Sequence, residues 1–207
     1  MQAMNNTPVY IAGLGAITAI GHNLAECLAA FEREEAGMAP ITYLETAHRN
    51  IIPVAEVKLS NQQLAAQTGA SPQLTRTALL SLKAAQEAIT DAGINNLPDL
   101  RTGFISANTV GGMDKSEQFF NQFIDDHSRG HLHDVANHEC GSVTEVVADA
   151  LSIKHYITTT NTACSSSANA IFLGARLIKQ GMLDAVVAGG TDAVSYTHLT
   201  LPTNREV

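Results

Sequence analysis

No apolar run in this chain approaches the ~20 residues needed to cross a bilayer, and no basic segment followed by an apolar core opens it as a secretory leader would. Basic residues are few. Twelve Lys and Arg against 20 Asp and Glu leave a net charge of −8, which excludes a surface built to neutralise nucleic-acid phosphates. A local basic patch for an acidic protein partner is compatible with that total. Cysteine is scarce as well. Cys27, Cys140 and Cys164 form an odd set with no CxxC spacing, so free thiols in a reducing cytoplasm are expected rather than a disulfide framework. Internal repeats and low-complexity linkers are also absent. What remains, 45% hydrophobic and 15% charged over 207 positions, is ordinary globular composition: one domain, or part of a larger one.

Strand and helix patterns alternate along the chain. Val9-Tyr10-Ile11-Ala12 reads as a short buried strand entering a tight turn at Gly13-Leu14-Gly15. Asn23 is placed to cap a helix through about Arg33, with Leu24, Cys27, Leu28 and Phe31 on its apolar face. Residues 51–57 suit an extended strand that Pro53 confines to an edge. A helix follows Pro72 and closes at Gly93, with Ala78, Leu82, Ala85, Ile89 and Ala92 as a narrow, alanine-rich stripe. Residues 102–107 read as a strand before the Gly111-Gly112 turn, with a helix over about 115–123. The next helix spans about 142–151, its stripe made of Val143, Val146, Val147, Ala150 and Leu151. Tyr156-Ile157-Thr158-Thr159-Thr160 is strongly β-prone. A helix from Cys164 to Gln180 ends at Gly181, and Ala185-Val186-Val187-Ala188 reads as a fully buried strand running into Gly189-Gly190. Such alternation implies an α/β fold: a mostly parallel sheet with helices on both faces.

Cys164 lies where a β-prone run gives way to a helix whose main face is Ala168, Ile171, Phe172, Ala175 and Ile178. Ala170, Leu173 and Leu177 extend the apolar character, so that helix is expected to be largely buried. A thiol in the first helical turn faces unpaired backbone N–H groups and the positive end of the helix dipole, both of which favour thiolate. The same N–H groups can stabilise the oxyanion formed when a thioester is attacked. Ala163, Ser165 and Ser166 are small enough to leave room for a substrate carbonyl. On position alone two readings stand side by side, an acyl-accepting nucleophile and a small buried hydrophobe.

Other signals are weaker. His127, His131, His133 and His138, with Asp126 and Asp134, have imidazole and carboxylate chemistry suited to zinc, but neither zinc-finger nor HExxH spacing. A solvated polar loop is the better reading, and no metal is expected. Gly13-Leu14-Gly15 invites a dinucleotide reading, but Thr18 stands where the third glycine belongs and no acidic ribose partner follows. No cofactor is therefore expected. Cys27 and Cys140 read as packing residues, and Asp184 and Asp192, which flank a strand, as turn or capping carboxylates.

The run Asn161-Thr162-Ala163-Cys164-Ser165-Ser166-Ser167-Ala168-Asn169-Ala170-Ile171 resembles the active-site block of elongating β-ketoacyl-acyl carrier protein synthases, which are thiolase-like condensing enzymes. Gly174-Ala175, Ile178, Gly181 and Asp184 through Gly190 continue that resemblance. Residues 9–21 resemble the same family's N-terminal strand and turn, and Ala107-Asn108-Thr109-Val110-Gly111-Gly112 its glycine-rich loop beside the acyl pocket. The Asn161 to Ile171 run and Ala107 to Met113 also look like the branch making aryl polyene or related pigments. The resemblance implies the N-terminal half of a two-lobed αβαβα core. In it Cys164 is nucleophile and backbone oxyanion donor, while Val110, Thr109 and Ala163 lie at the substrate pocket. Val110 aligns with a gating position, whereas Asn108 and Thr109 depart from the small residues usual there.

The implied reaction is decarboxylative condensation of an acyl-cysteine with malonyl-acyl carrier protein. The implied partners are acyl carrier protein carrying acyl and malonyl thioesters, and a second synthase subunit, identical or related, paired across the 156–160 strand edge. Two other readings belong to different classes. One is a non-catalytic chain-length partner subunit, which characteristically lacks the cysteine. The other is a thiolase-like acyltransferase using coenzyme A thioesters.

The family's decarboxylating histidine pair and supporting lysine follow the Gly-Gly-Thr-Asp block, and the resemblance ends near Val194. Residues 1–194 are therefore expected to form the half-domain. Residues 195–207, including His198, resemble translated adapter sequence rather than the family's continuation. From this the purified 207-residue chain is expected to release no carbon dioxide from malonyl-acyl carrier protein; radiometric detection of such release would contradict the expectation.

Overall fold

The sheet grows outward from Thr102–Ala107, six residues that are all buried. The structure, a computed structural model, describes residues 8–193 except 45, 47, 48 and 50, and Pro98 without its side chain. In chain order its elements are α1 (Leu24–Glu32), β1 (Met38–Pro40), β2 (Pro53–Ala55), α2 (Asn61–Thr68), α3 (Arg76–Asp91), β3 (Thr102–Ala107), α4 (Met113–Asp125), α5 (Leu132–Ala136), α6 (Cys140–Ala150), β4 (Tyr156–Thr160), α7 (Ser166–Lys179) and β5 (Ala185–Gly190). Short 3₁₀ turns occupy Leu97–Asp99 and Ala163–Ser165.

The order β4-β3-β5 is parallel throughout, with Phe104 opposite Ile157 and Val187, and Ile105 opposite Thr158 and Ala188. Side chains alternate across the pleat. Phe104 therefore packs with Leu82 and Ala85 of α3, Val143 and Val147 of α6, and Ile153. Ile105 and Ala107 point the other way, onto Ala170 and Leu177 of α7 and Leu183. Both faces are covered by helices, the α/β arrangement expected. Strands β3 and β4 have the expected bounds. Helix α1 starts at the expected cap, where the Asn23 side chain accepts from the Glu26 N–H at 2.8 Å. β1 and β2 form a separate antiparallel pair, consistent with Pro53 at an edge.

Residues 9–12 depart from expectation. They form no strand, and Tyr10 and Ile11 are 80% and 79% exposed. The glycines that follow are committed instead to α3. A Cβ at Gly13 would overlap Ala88 O, and one at Gly15 would overlap Ala84 O. Carboxylates on α3 then fasten the segment: Leu14 N–H donates to Asp91 at 2.9 Å and Ala16 N–H to Glu87 at 2.9 Å. The other Glu87 oxygen accepts from Leu24 N–H at 2.8 Å, filling one of the open donors at the start of α1. Gly13-Leu14-Gly15 is thus a helix-packing device.

Four further differences concern which side chains are buried and where an element begins. On α1 the buried residues are Cys27 and Ala30, while Leu28 and Phe31 are exposed. On α6 Thr144 and Ala148 join Val143 and Val147 in the core, and Ala150 is exposed. β5 is half-buried rather than fully buried, because β3 is its one neighbour among the described residues. Helix α3 begins at Arg76, capped by Thr75, so Pro72 lies in the preceding turn. Helix α2 was not anticipated, although Ser60 and Gln63 make a reciprocal capping box and Gly69 closes it at φ +73°.

At the N-terminal end of the sheet Arg101 and Asp184 tie the entries of β3 and β5. Arg101 Nη2 and Nε donate to the Asp184 carboxylate at 2.6 and 3.0 Å, and the Arg101 N–H adds a third bond at 3.0 Å. The guanidinium, then the backbone N–H, lower the Asp184 pKa from 3.8 to about 2. A depressed folded value means this contribution to stability is complete above the ordinary carboxylate range and is lost as pH falls from about 4 toward 2. NMR titration is expected to place the Asp184 midpoint near 2, and Arg101→Ala to move it back toward the ordinary value; an unmoved midpoint would refute the pairing.

Candidate active site at the carboxyl end of the sheet

Parallel strands deliver their following loops to one edge, the usual place for chemistry in such sheets. Here β3 leads into 108–112, β4 into 161–164, and β5 into 191–192. Cys164 sits in the 3₁₀ turn Ala163–Ser165, just ahead of the first residue of α7, Ser166. Ala163 is held at φ +51°, a left-handed conformation that costs an alanine about 1–2 kcal/mol.

The bonds around that turn show what maintains it. Buried Ser166 accepts from the Thr162 N–H at 2.7 Å and donates to Ala163 O at 2.7 Å. Ser165 Oγ donates to Thr162 O at 2.9 Å, Asn169 Nδ2 to Thr162 Oγ1 at 2.8 Å, and Thr160 Oγ1 to Ser166 O at 3.1 Å. The hydroxyls of Ser165 and Ser166 are thus spent on holding the turn, and the Cys164 thiol ahead of them is presented outward.

Each cysteine has a distinct environment. Cys27 is buried, its Sγ 3.3 Å from Thr18 Oγ1 and 3.5 Å from Gly21 O. Cys140, half-buried at the start of α6, has its pKa raised by burial first, then by Asp192 and Glu139. Cys164 is exposed. Helix α7 is accordingly less buried than its composition suggests: Ile171 and Phe172 are 54% and 62% exposed, whereas Ser166, Ala170, Gly174 and Leu177 are buried. Gly174 explains the choice of face. A Cβ there would come within 2.9 Å of Val186 Cγ1, so the small residues face the sheet and the large ones turn outward.

The 108–112 loop leaves β3 at the same edge of the sheet. Asn108 is 1% exposed and donates to Cys140 O at 3.2 Å. Thr109 is exposed and Val110 half-buried. Their N–H groups both donate to Asp192 Oδ1, at 2.6 and 3.1 Å. Gly111 adopts φ +55°, and the Gly112 N–H donates to His138 O at 3.0 Å. Asp192 is a turn carboxylate as expected, but its partners lie 83 and 82 positions away in sequence. No local pattern could have identified them.

The histidines do not gather. His127 stacks on Phe123 at 4.8 Å, and His138 Nδ1 lies 2.8 Å from Ser116 Oγ. The short helix α5 replaces the expected loop around His133. Among the described residues no group of three or more His, Cys, Asp or Glu could hold a metal ion, and no helix is long and apolar enough to cross a membrane.

Comparison with known proteins places this geometry. Residues 6–200 match the family model of the beta-ketoacyl synthase N-terminal domain. The chain is 27% identical over 196 residues to 3-oxoacyl-acyl-carrier-protein synthase 2 of Synechocystis sp., covering 93% of this chain and 47% of that protein. It is 26% identical over 206 residues to the Staphylococcus aureus synthase of the same name, covering 95% and 48%. It therefore spans about half the length of the curated relatives it matches. Among solved structures, the ishigamide ketosynthase/chain length factor superposes with a TM-score of 0.82 at 25% identity, covering 92% of this chain and 49% of that one. A ketosynthase in complex with its chain length factor from Xenorhabdus doucetiae gives 0.67 at 26% identity, covering 91% and 48%. The thiolase-like α/β fold is thereby established.

Ser166→Ala removes the acceptor of the Thr162 N–H inside a buried turn, an expected loss of about 1–3 kcal/mol. Denaturant unfolding should show it as a lower midpoint at unchanged slope; an unshifted midpoint would mean the turn is held otherwise.

Proposed function

We propose that this chain, which belongs to the beta-ketoacyl synthase family, supplies the acyl-accepting part of a condensing enzyme, with Cys164 as nucleophile. The observation that carries the reading is the single exposed thiol of the chain, set on a strained turn ahead of α7 at the carboxyl end of a parallel sheet. In the proposed reaction Cys164 Sγ, having lost its proton, attacks the thioester carbonyl of an acyl-carrier protein. The carbon–sulfur bond to the carrier breaks, and the carrier thiol leaves protonated. The Cys164 backbone N–H is assigned to the developing oxyanion. With the family's histidine pair, which the resemblance places after the Gly-Gly-Thr-Asp block and which this chain does not supply, malonyl-carrier protein then loses carbon dioxide, its carbanion attacks the acyl-cysteine carbonyl, and a β-ketoacyl-carrier protein departs as the Cys164 thiolate is regenerated.

Ala163, Thr109 and Val110 are assigned to the pocket wall, with Val110 as the gate, and residues 1–194 to the half-domain. Residues 195–207 lie outside the described residues. Acyl carrier protein and a second synthase subunit are the proposed partners, and no cofactor, membrane or nucleic acid is involved. Strand β4 has β3 as its one neighbour among the described residues, leaving an edge for the second subunit. The pathway proposed is fatty acid or polyene/polyketide biosynthesis, the polyene branch being the one that the 161–171 and 107–113 runs resemble. The names of the two similar structures include chain length factors, which supports a non-catalytic partner role as the second reading; an exposed thiol favours the first.

Acylation separates them. After incubation with acyl-carrier protein, and in parallel with acyl-coenzyme A, peptide mass spectrometry is expected to find the acyl group on Cys164, with Cys27 and Cys140 unmodified and Cys164→Ala unlabelled. Labelling spread evenly over the three cysteines would refute the assignment, and preferential labelling by coenzyme A thioesters would replace the carrier as substrate.

A further inference from the structure

The two loops of the site share one support. At the end of β5, Thr191 N–H donates to Ala107 O at 2.9 Å, continuing the β3–β5 ladder one residue past β5. A Cβ at Gly190 would overlap Ser167 Oγ and approach Ala107 Cβ to 3.1 Å, so β5 is packed directly against the first turn of α7. Two residues later the Asp192 carboxylate receives the Thr109 and Val110 N–H groups through one oxygen. Two donors on one carboxylate oxygen, one of them at 2.6 Å, form a charge-assisted clamp stronger than a pair of neutral bonds. The far end of the same loop is held separately, by the Gly112 N–H on His138 O at 3.0 Å.

We infer that Asp192 is a positioning residue that fixes Val110 relative to Cys164 and thereby sets which acyl chains reach the thiol. The inference rests on the reading of Cys164 as acyl acceptor. Its physical content is a shared reference point: Gly190 registers the nucleophile's helix and Asp192 registers the gate, so both are measured from the end of one strand. Removing the carboxylate releases the N-terminal part of the loop while His138 keeps the C-terminal part, so the backbone at Thr109 and Val110 gains freedom without unfolding of the sheet. Asparagine at position 192 keeps a carbonyl oxygen in the same place and should preserve most of the clamp.

The test compares the unaltered 207-residue chain with Asp192→Ala and Asp192→Asn in two measurements. Amide hydrogen exchange followed by NMR is expected to be about tenfold faster at Thr109 and Val110 in Asp192→Ala, unchanged in β3 and β4, and within about threefold of the unaltered rate in Asp192→Asn. Competition between a short and a long acyl-carrier protein, read as the ratio of the two acyl-Cys164 masses, is expected to shift by about tenfold in Asp192→Ala and to be restored in Asp192→Asn. Unchanged exchange at Thr109 and Val110, or faster exchange spread across the whole sheet, overturns the clamp. Faster local exchange with an unchanged mass ratio overturns the selection role. Should the unaltered chain accept no acyl group from either carrier, the acyl-acceptor reading and the selection role fail together, and the exchange data still decide the clamp.

Discussion

Parallel hydrogen bonding of β3 to β4 on one side and β5 on the other is the constraint from which the rest of the molecule follows. A strand paired on both edges and covered on both faces has no exposed backbone group, so it tolerates only a short, apolar or small-residue run. Thr102–Ala107 is such a run. Because all three strands point the same way, the connections after Ala107, Thr160 and Gly190 emerge at one edge. The cysteine turn, the glycine-rich loop and Asp192 come from widely separated stretches of chain and meet there for that reason alone.

Close approach, more than bulk, decided which helix faces were buried. On α7 the sheet is met by Ala170 and Gly174 while Phe172 turns outward, its ring 5.6 Å from the Arg176 guanidinium. On α3 the backbone near Ala84 and Ala88 is met by Gly15 and Gly13. Dispersion and burial both favour large side chains in the core, but a glycine or alanine contact brings two backbones together and leaves no space beside it for a leucine. Large apolar side chains stand exposed on several elements, among them Phe31 of α1, Phe120 of α4 and Ile171 of α7.

Much of this was legible beforehand where the signal is local. The bounds of β3 and β4 followed from β-branched and apolar runs between turn residues. Asn23 announced α1, and Gly181, observed at φ +69°, announced the end of α7. The Ser60–Gln63 capping box was equally legible and would have located α2. The misplaced strand at residues 9–12 had the right composition for a strand, but pairing needs a neighbour, and composition does not supply one.

The alternating α/β plan was legible from the amino-acid pattern, because caps, turns and strand propensity act over a few residues; Cys164 and the loop around Val110 were singled out by resemblance to a family, the pattern alone leaving two readings of the thiol side by side. The pattern left open which face each helix would bury, whether the thiol would be covered or presented, and what Asp192 would hold. The helix faces depend on close contacts with other elements, such as Gly174 with Val186 and Gly13 with Ala88, and what Asp192 holds depends on residues more than 80 positions away, as does the Arg101–Asp184 pair. Such contacts exist only once the sheet has put its strands in register.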